Sequence, residues 1–481
     1  MKYTSLLALL LVFFRICFSQ DYYEVIIPTF LGSEQRNYYG ENAPDSLNLI
    51  WKTNLGCGLT VLPNANRDTV QMCGAGWTGQ ALLIKEDGRL FVVQGAYDYN
   101  LRKIDAETGK VIWEYPYDDV IKSSGCVWVD TSNSKNHPDR ILILQGSRRG
   151  FGKSLYETHI GSYKAVSFGT GKEKWQLDIP RTQSFSRDTD GTGLVLGDTV
   201  FLGQENGYLT VFQPNPDKTV IKNGVNQPVV LEEYPLYLEE DVRKHFHNIV
   251  VESSPSLLNN HIYIPCGSGH VYGFNRITRT LDWDFYVGSD LDGSAIVTRD
   301  SCILISVEKQ YINGIGGVLK LNPNKNPEDA VEWYHQSQDS LFADWAGGII
   351  GSVAINDSYI SENENAMAAF VGIDGELHVV DHEFLATNDS TTGPDGNTCY
   401  PIPQSVFNYH VGASISTPIF TENRLIVASY NGLFLFGYND NCIFTLLDHY
   451  DIVVEATPVV YNKKIYVAAR DGYLYCIGQK K

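Results

Sequence analysis

The sequence predicts an all-β chain closed into a ring, an eight-bladed β-propeller of four-stranded antiparallel blades, and three observations carry that expectation. A unit of four short strands recurs along the chain, a glycine turn precedes the third strand of most units, and a tryptophan strand stands alone near the N-terminus while the last unit lacks one. Composition agrees, since 43 Gly, 29 Tyr and 21 Phe against 3 Met favour strands and turns over helices. A chain of 481 residues without repeats would divide into about two or three domains, so here the repeat decides the organisation.

The first element is a leader. Residues 1–20, "MKYTSLLALLLVFFRICFSQ", place Lys2 before an apolar run from Leu6 to Phe14 and small or polar residues around Ser19, the layout of a secretory signal peptide. The run is too short to span a bilayer, so no transmembrane segment is expected. No small residue precedes Cys17, which argues against a lipid anchor. Residues 21–47 read as an N-terminal extension and residues 48–481 as the propeller.

Within the propeller, "SSPSLLNNHIYIPCGSGHVYGFNRITRTLDWDFYV" shows the unit whole. A Ser/Thr-Pro start leads into a short apolar strand, a polar turn, the alternating strand "HIYIPCG", a glycine turn, the strand "HVYGFN", and a fourth strand with Trp. The glycine recurs at Gly161, Gly207, Gly269, Gly316, Gly375, Gly432 and Gly472, and the first unit replaces it with a longer loop. The fourth strand carries Trp113, Trp175, Trp283 and Trp333. The last unit ends at "DGYLYCIGQKK" without that strand, whereas "NLIWKTNL" with Trp51 stands unclaimed before the first unit. The N-terminal strand is therefore expected to complete the last blade, a closure that leaves no unpaired edge between first and last sheets.

The segments "DAETGKVIW", "GTGKEKW" and "DGYLYCIG" resemble the PQQ-type repeats of the quinoprotein alcohol dehydrogenase-like β-propellers, a family that includes BamB-like scaffolds of outer-membrane barrel assembly. The resemblance covers roughly residues 48–481 and implies the fold more firmly than the activity, because the same repeat serves enzymes and non-enzymes. It implies that the recurring Trp packs between neighbouring blades. It also implies that an enzyme of this kind would hold pyrroloquinoline quinone in the channel under a ring of two adjacent cysteines, beside calcium and an Asp base. This sequence has no adjacent Cys pair and no calcium set matching the family motif.

Charge and cysteines narrow the function classes. The formal net charge of -19 disfavours nucleic acid and anionic membrane surfaces, which require a basic footprint. Without Cys17 eight cysteines remain, with no CxxC pair; Cys57 and Cys73 are near enough to bridge, and Cys266, Cys302 and Cys476 sit in apolar strand patterns as small hydrophobes. "GSRRGFGKS" misses phosphate-loop spacing by one residue and reads as a loop in the second blade. His245 and His247 in "HFH" lack a third ligand and read as a surface pair, and "DSYISENENAM" reads as an exposed loop.

The residue two places ahead of the Ser/Thr opening each unit gives the sharpest signal. It is Asp190, Glu252, Asp292 and Glu455 in four of the units. The first strand of a propeller blade lines the channel, so these acids should ring one mouth, and the loops between second and third strands should bring Gln94, Gln145, Gln204 and Lys309 to the same rim. The functional reading is a polar funnel for a ligand or cation, with calcium as the candidate metal at Asp190, Glu252 and Asp292. The alternative is that the acids cap turn amides. The sequence thus points to an exported, periplasmic or extracellular propeller without catalytic residues or cofactor, binding a protein or saccharide partner through exposed loops such as "EFLATNDSTTGPDGNTCYPIPQ". The alternative is a PQQ-dependent dehydrogenase with calcium in the channel mouth.

Overall fold

The computed structural model describes residues 23–62, 68–134 and 137–479, so the expected signal peptide lies outside the described residues. Eight antiparallel sheets follow one another along the chain, each with its four repeat strands paired in order. Blade 1 begins with Leu82–Glu86, blade 2 with Cys126–Val129, blade 3 with Leu194–Leu196 and blade 4 with Ser256–Leu258. Blades 5 to 8 begin with Ile296–Val297, Ala354–Ile355, Ile419–Thr421 and Val459–Tyr461. The N-terminal strand Asn48–Asn54 pairs with Tyr473–Gly478 as the fourth strand of blade 8, with Trp51 opposite Cys476, as the repeat required.

Each fourth-strand Trp bridges to the next blade in the same way. The indole Nε1 donates to a backbone carbonyl there, from Trp51 to Ala106, Trp113 to Phe168, Trp175 to Pro214, Trp283 to Lys325 and Trp333 to His382, at 2.7–3.2 Å. The ring fills the gap between sheets while its one polar atom is satisfied, which lets a large aromatic be buried without a polar cost. The Trp51–Ala106 bond joins blade 8 to blade 1, so the closing contact repeats the other junctions.

Residues 23–47 are not an appendage beside the propeller. They form a looped segment that enters the central channel from the face where first and second strands turn, each of its two strands pairing with a different blade. Tyr23–Ile27 pairs antiparallel with the innermost strand of blade 1, from Tyr23 opposite Glu86 to Ile27 opposite Leu83. The chain then turns and leaves alongside blade 8, where Gly40 and Glu41 pair parallel with Val460 and Tyr461. Gly40 has φ 109°, and a Cβ there would lie 1.7 Å from the Val460 carbonyl oxygen, so only glycine fits. Between these strands Phe30, Leu31, Arg36 and Tyr39 are fully buried. The segment is bonded to blades 2, 4, 5 and 6 through Val127 N to Pro28 O, Leu257 N to Glu34 O, Val297 N to Gln35 O and Ile355 N to the Tyr39 hydroxyl. One end of the channel is therefore closed by the chain itself.

Several sequence expectations are corrected locally. "DSYISENENAM" is not simply an exposed loop, because the Tyr359 hydroxyl accepts from Tyr39 N and donates to Gly40 O, tying the loop to the plug. His245 and His247 are not a surface pair: His245 follows the helix Glu239–Lys244, is buried, and donates from Nδ1 to Gly267 O at 2.6 Å. The excursion after blade 6's third strand is not a free loop. Strands Glu376–Thr392 and Cys399–His410 extend as a hairpin whose tip reaches back to blade 5, where Gly314 N donates to Pro394 O and Gln336 Nε2 to Thr392 O.

Candidate functional site

The open end of the channel is the mouth, where the chain enters each first strand and turns from second to third. Two hairpins rim it. The first, Cys57–Val61 with Thr69–Cys73, is closed by a Cys57–Cys73 disulfide and reaches over to blade 2, where Arg148 Nη1 donates to Thr60 Oγ1 at 2.8 Å. The second, Asp339–Phe342 with Trp345–Gly347, emerges between blades 5 and 6 and packs Phe342 at a tilt against Tyr430 of blade 7, with 4.6 Å between ring centres.

These elements make the mouth two-sided. On the side of blades 6, 7 and 1, Trp77, Ile350, Ile373 and Ile415 pack with Phe342 and Trp345 into an apolar cluster. On the side of blades 3 to 5, carboxylates converge in two groups. Asp190, Glu205 and Glu252 bring one oxygen each within 4.8 Å of one another, and Asp290, Asp292 and Glu308 do the same. Asp190 is fully buried, and Glu205, Asp290 and Glu308 nearly so.

The compensating charge is small. Lys122 contacts Asp190 directly. Burial pulls the Lys122 ammonium down, but Asp190, Glu252 and Glu205 together hold it well above its usual range. Asn248 Nδ2 donates to Asp290 Oδ2 at 2.6 Å, while Asp290 Oδ1 and Glu205 Oε1 have no hydrogen-bond partner among the described residues. Removal from water, opposed by Lys122 and reinforced by Asp190 and Asp290, pushes Glu252 up to about 7. Burial and then the neighbouring carboxylates likewise raise Glu205, Asp292 and Glu308 well above the carboxylate range. Without added positive charge these groups share protons, as like charges held close must. A hard divalent cation or a ligand ammonium could take the place of those protons, and an all-oxygen set would suit calcium over a softer metal.

Of the residues expected at this mouth, the structure gathers Asp190, Glu252 and Asp292 into the acidic side. Glu455 lies elsewhere on the rim and is engaged, accepting from the Tyr430 hydroxyl at 2.6 Å and from Arg470 Nη1 at 2.9 Å. Gln94, Gln145 and Gln204 do not reach the rim. Gln94 and Gln145 donate to the carbonyls of Gly79 and Ser123 and so pin the second strand to the chain entering the first, and Gln204 Oε1 accepts from Thr210. Lys309 Nζ bonds the Gly314 carbonyl within its own loop.

Glu205, Asp290, Glu308 and Lys122 were not legible as site residues, yet three of them lie one or two positions from residues that were. At the end of the second strand, side chains alternate, so Gln204 turns into its blade and Glu205 into the channel. The same offset separates Lys309 from Glu308, and "DLDG" holds both Asp290 and Asp292.

A PQQ-repeat family model described as outer membrane protein assembly factor BamB matches residues 49–249. No curated protein matches the chain. Among solved structures, BamB from Moraxella catarrhalis is similar at 12% identity with a TM-score of 0.53, covering 90% of this chain and 100% of that one. A europium-containing methanol dehydrogenase is similar at 11% identity with a TM-score of 0.57, covering 95% of this chain and 98% of that one. Among the described residues no helix is long and apolar enough to cross a membrane. The chain is thus an eight-bladed β-propeller closed through the Trp51 strand, with PQQ-type repeat similarity matched over residues 49–249.

Proposed function

We propose that this is a non-catalytic binding propeller, exported by its N-terminal segment, whose acid-lined cup holds calcium or a cationic ligand and whose mouth face engages a protein or saccharide partner. The observation that carries the reading is the pair of carboxylate triads, with Glu205 Oε1 and Asp290 Oδ1 unbonded, set at the open end of a channel whose other end is plugged. A ligand therefore enters and leaves by one face, which suits holding over throughput. Similarity of the repeats to an outer membrane protein assembly factor supports a protein partner and a place in cell-envelope assembly. A cation bound in the cup would brace blades 3 to 5 and fix the rim that a partner meets.

The second reading is a quinone-dependent dehydrogenase, favoured by the acidic triads beside an aromatic wall. The residues fit its cation better than its quinone. Pyrroloquinoline quinone carries three carboxylates, and the cations near the mouth are already committed, Lys122 to Asp190, Arg148 to Asp188 and Arg470 to Glu455. Incubating the purified protein with calcium and the quinone separates the readings. The binding propeller is expected to gain thermal stability from calcium and to show no quinone absorption and no dye-linked oxidation; a bound quinone spectrum with oxidation of alcohols would replace it with the enzyme.

A further inference from the structure

A second group of ligand-type side chains lies on the plugged face, between blades 5 and 6 and away from the mouth. Asp300 is in the turn between the first two strands of blade 5, and His382 and Glu383 lie partway along Glu376–Thr392, where the register with the fourth strand breaks. A ring nitrogen of His382 and one oxygen each of Asp300 and Glu383 all fall within 4.8 Å of one another. His382 is fully buried. Its Nε2 donates to Asp357 Oδ1 at 2.9 Å, and its Nδ1 has no hydrogen-bond partner among the described residues. Asp357 is itself fixed, because its other oxygen accepts from Arg299 N at 2.7 Å. An aspartate behind a histidine sets the tautomer and ring orientation and leaves the opposite nitrogen as a lone pair, the support that metal-ligating histidines have. A buried lone pair with nothing to receive is otherwise a cost.

We propose that His382, Asp300 and Glu383 form a site for a first-row divalent metal of the zinc class, with Asp357 positioning His382. One imidazole and two carboxylates favour zinc over the all-oxygen preference of calcium, which separates this site chemically from the mouth. Two side-chain cations already touch the carboxylates. Lys320 Nζ lies 2.5 Å from Asp300 Oδ2, and Arg299 holds both oxygens of Glu383 at 2.8 and 2.9 Å. Arg299 is the one a metal displaces. Its remaining side-chain bonds are long ones to the carbonyls of Ser361 and Glu364, at 3.3 and 3.2 Å near the surface, where the guanidinium can stay once released. Asp357 and Asp381 add negative charge beside the site, so a divalent ion remains balanced with Lys320 in place.

The test is titration of the full mature chain with zinc, and with cobalt as a spectroscopic probe of nitrogen and oxygen ligands, in excess calcium to fill the mouth. One zinc per chain is expected, with cobalt giving visible d–d bands. The double variant Asp300→Asn, Glu383→Gln, at exposed positions, should weaken zinc by about tenfold or more. Arg299→Met, which removes the competing cation, should tighten it several-fold, an effect that loss of stability cannot produce. The mouth variant Asp190→Asn, Glu252→Gln, Asp292→Asn should bind zinc as the wild type does. No stoichiometric zinc in the wild type, unchanged affinity in the double variant, or weaker binding in Arg299→Met would each overturn the site.

Discussion

At the plugged end of the channel Phe30, Leu31 and Tyr39 are fully buried, and the buried cation Arg36 donates to Pro255 O, Phe30 O and Thr29 Oγ1. At the open end Glu205, Asp290 and Glu308 are almost as buried, yet they face other carboxylates, and Glu205 Oε1 and Asp290 Oδ1 have no hydrogen-bond partner among the described residues. Similar burial thus has opposite consequences. Paired polar groups and apolar fill stabilise the floor, whereas crowded acids at the mouth cost stability that a cation would return. This propeller holds itself together at the floor, and on the proposed reading it would hold its ligand at the mouth.

The largest break in that comparison is removal of ring closure. Deleting residues 48–55 takes away the fourth strand of blade 8 and exposes its edge, and the protein is expected to lose several kcal/mol and to aggregate, on the scale of a buried aromatic's loss. Unchanged melting and solubility would show that this strand does not close the ring. Next in size is the plug. Phe30→Ala empties a fully buried site in the plug and should cost about 3–5 kcal/mol in denaturant unfolding. A cost near zero would show that the N-terminal segment does not hold the floor. Trp51→Ala should fall at the lower end, about 3 kcal/mol, because the ring is only half-buried although its Nε1 bond to Ala106 is lost as well.

A smaller effect separates the two ends by pH. Glu252 titrates near 4.5 when unfolded and at about 7 in the folded protein, so between those values the native state holds more of the proton. Stability without a bound cation therefore falls as pH rises through this window, by up to about 1.4 kcal/mol per pH unit for each full proton of difference. Urea unfolding at pH 5 to 8 should show this slope in the wild type and a shallower one in Glu252→Gln. The same slope in both would mean that Glu252 does not carry the excess proton.

Closure was legible in the sequence because it is a matter of counting: seven units end in a fourth strand, one does not, and "NLIWKTNL" stands unclaimed. The plug was not legible. Residues 21–47 carry no repeat, and their partners lie far away in sequence, as with Arg36 and Pro255, separated by 219 positions. The mouth was half legible. Comparing equivalent positions found Asp190, Glu252 and Asp292, but the period-two alternation that hides Gln204 and presents Glu205 is decided by where the strand ends, which the sequence marks only to within a residue or two. Lys122 gave no signal, since nothing in "DVIKSSG" separates a channel lysine from a surface one.

On the proposed reading, the mouth holds protons in place of a cation. Calorimetric titration of calcium into the wild type at pH 7, in two buffers of different ionisation enthalpy, tests it directly. Saturable binding with proton release and a calcium-dependent rise in melting temperature are expected, with loss of both in the triple variant Asp190→Asn, Glu252→Gln, Asp292→Asn. No calcium heat and no melting shift in the wild type, or a response that survives in the triple variant, would contradict it and leave these acids as structural caps of the propeller turns.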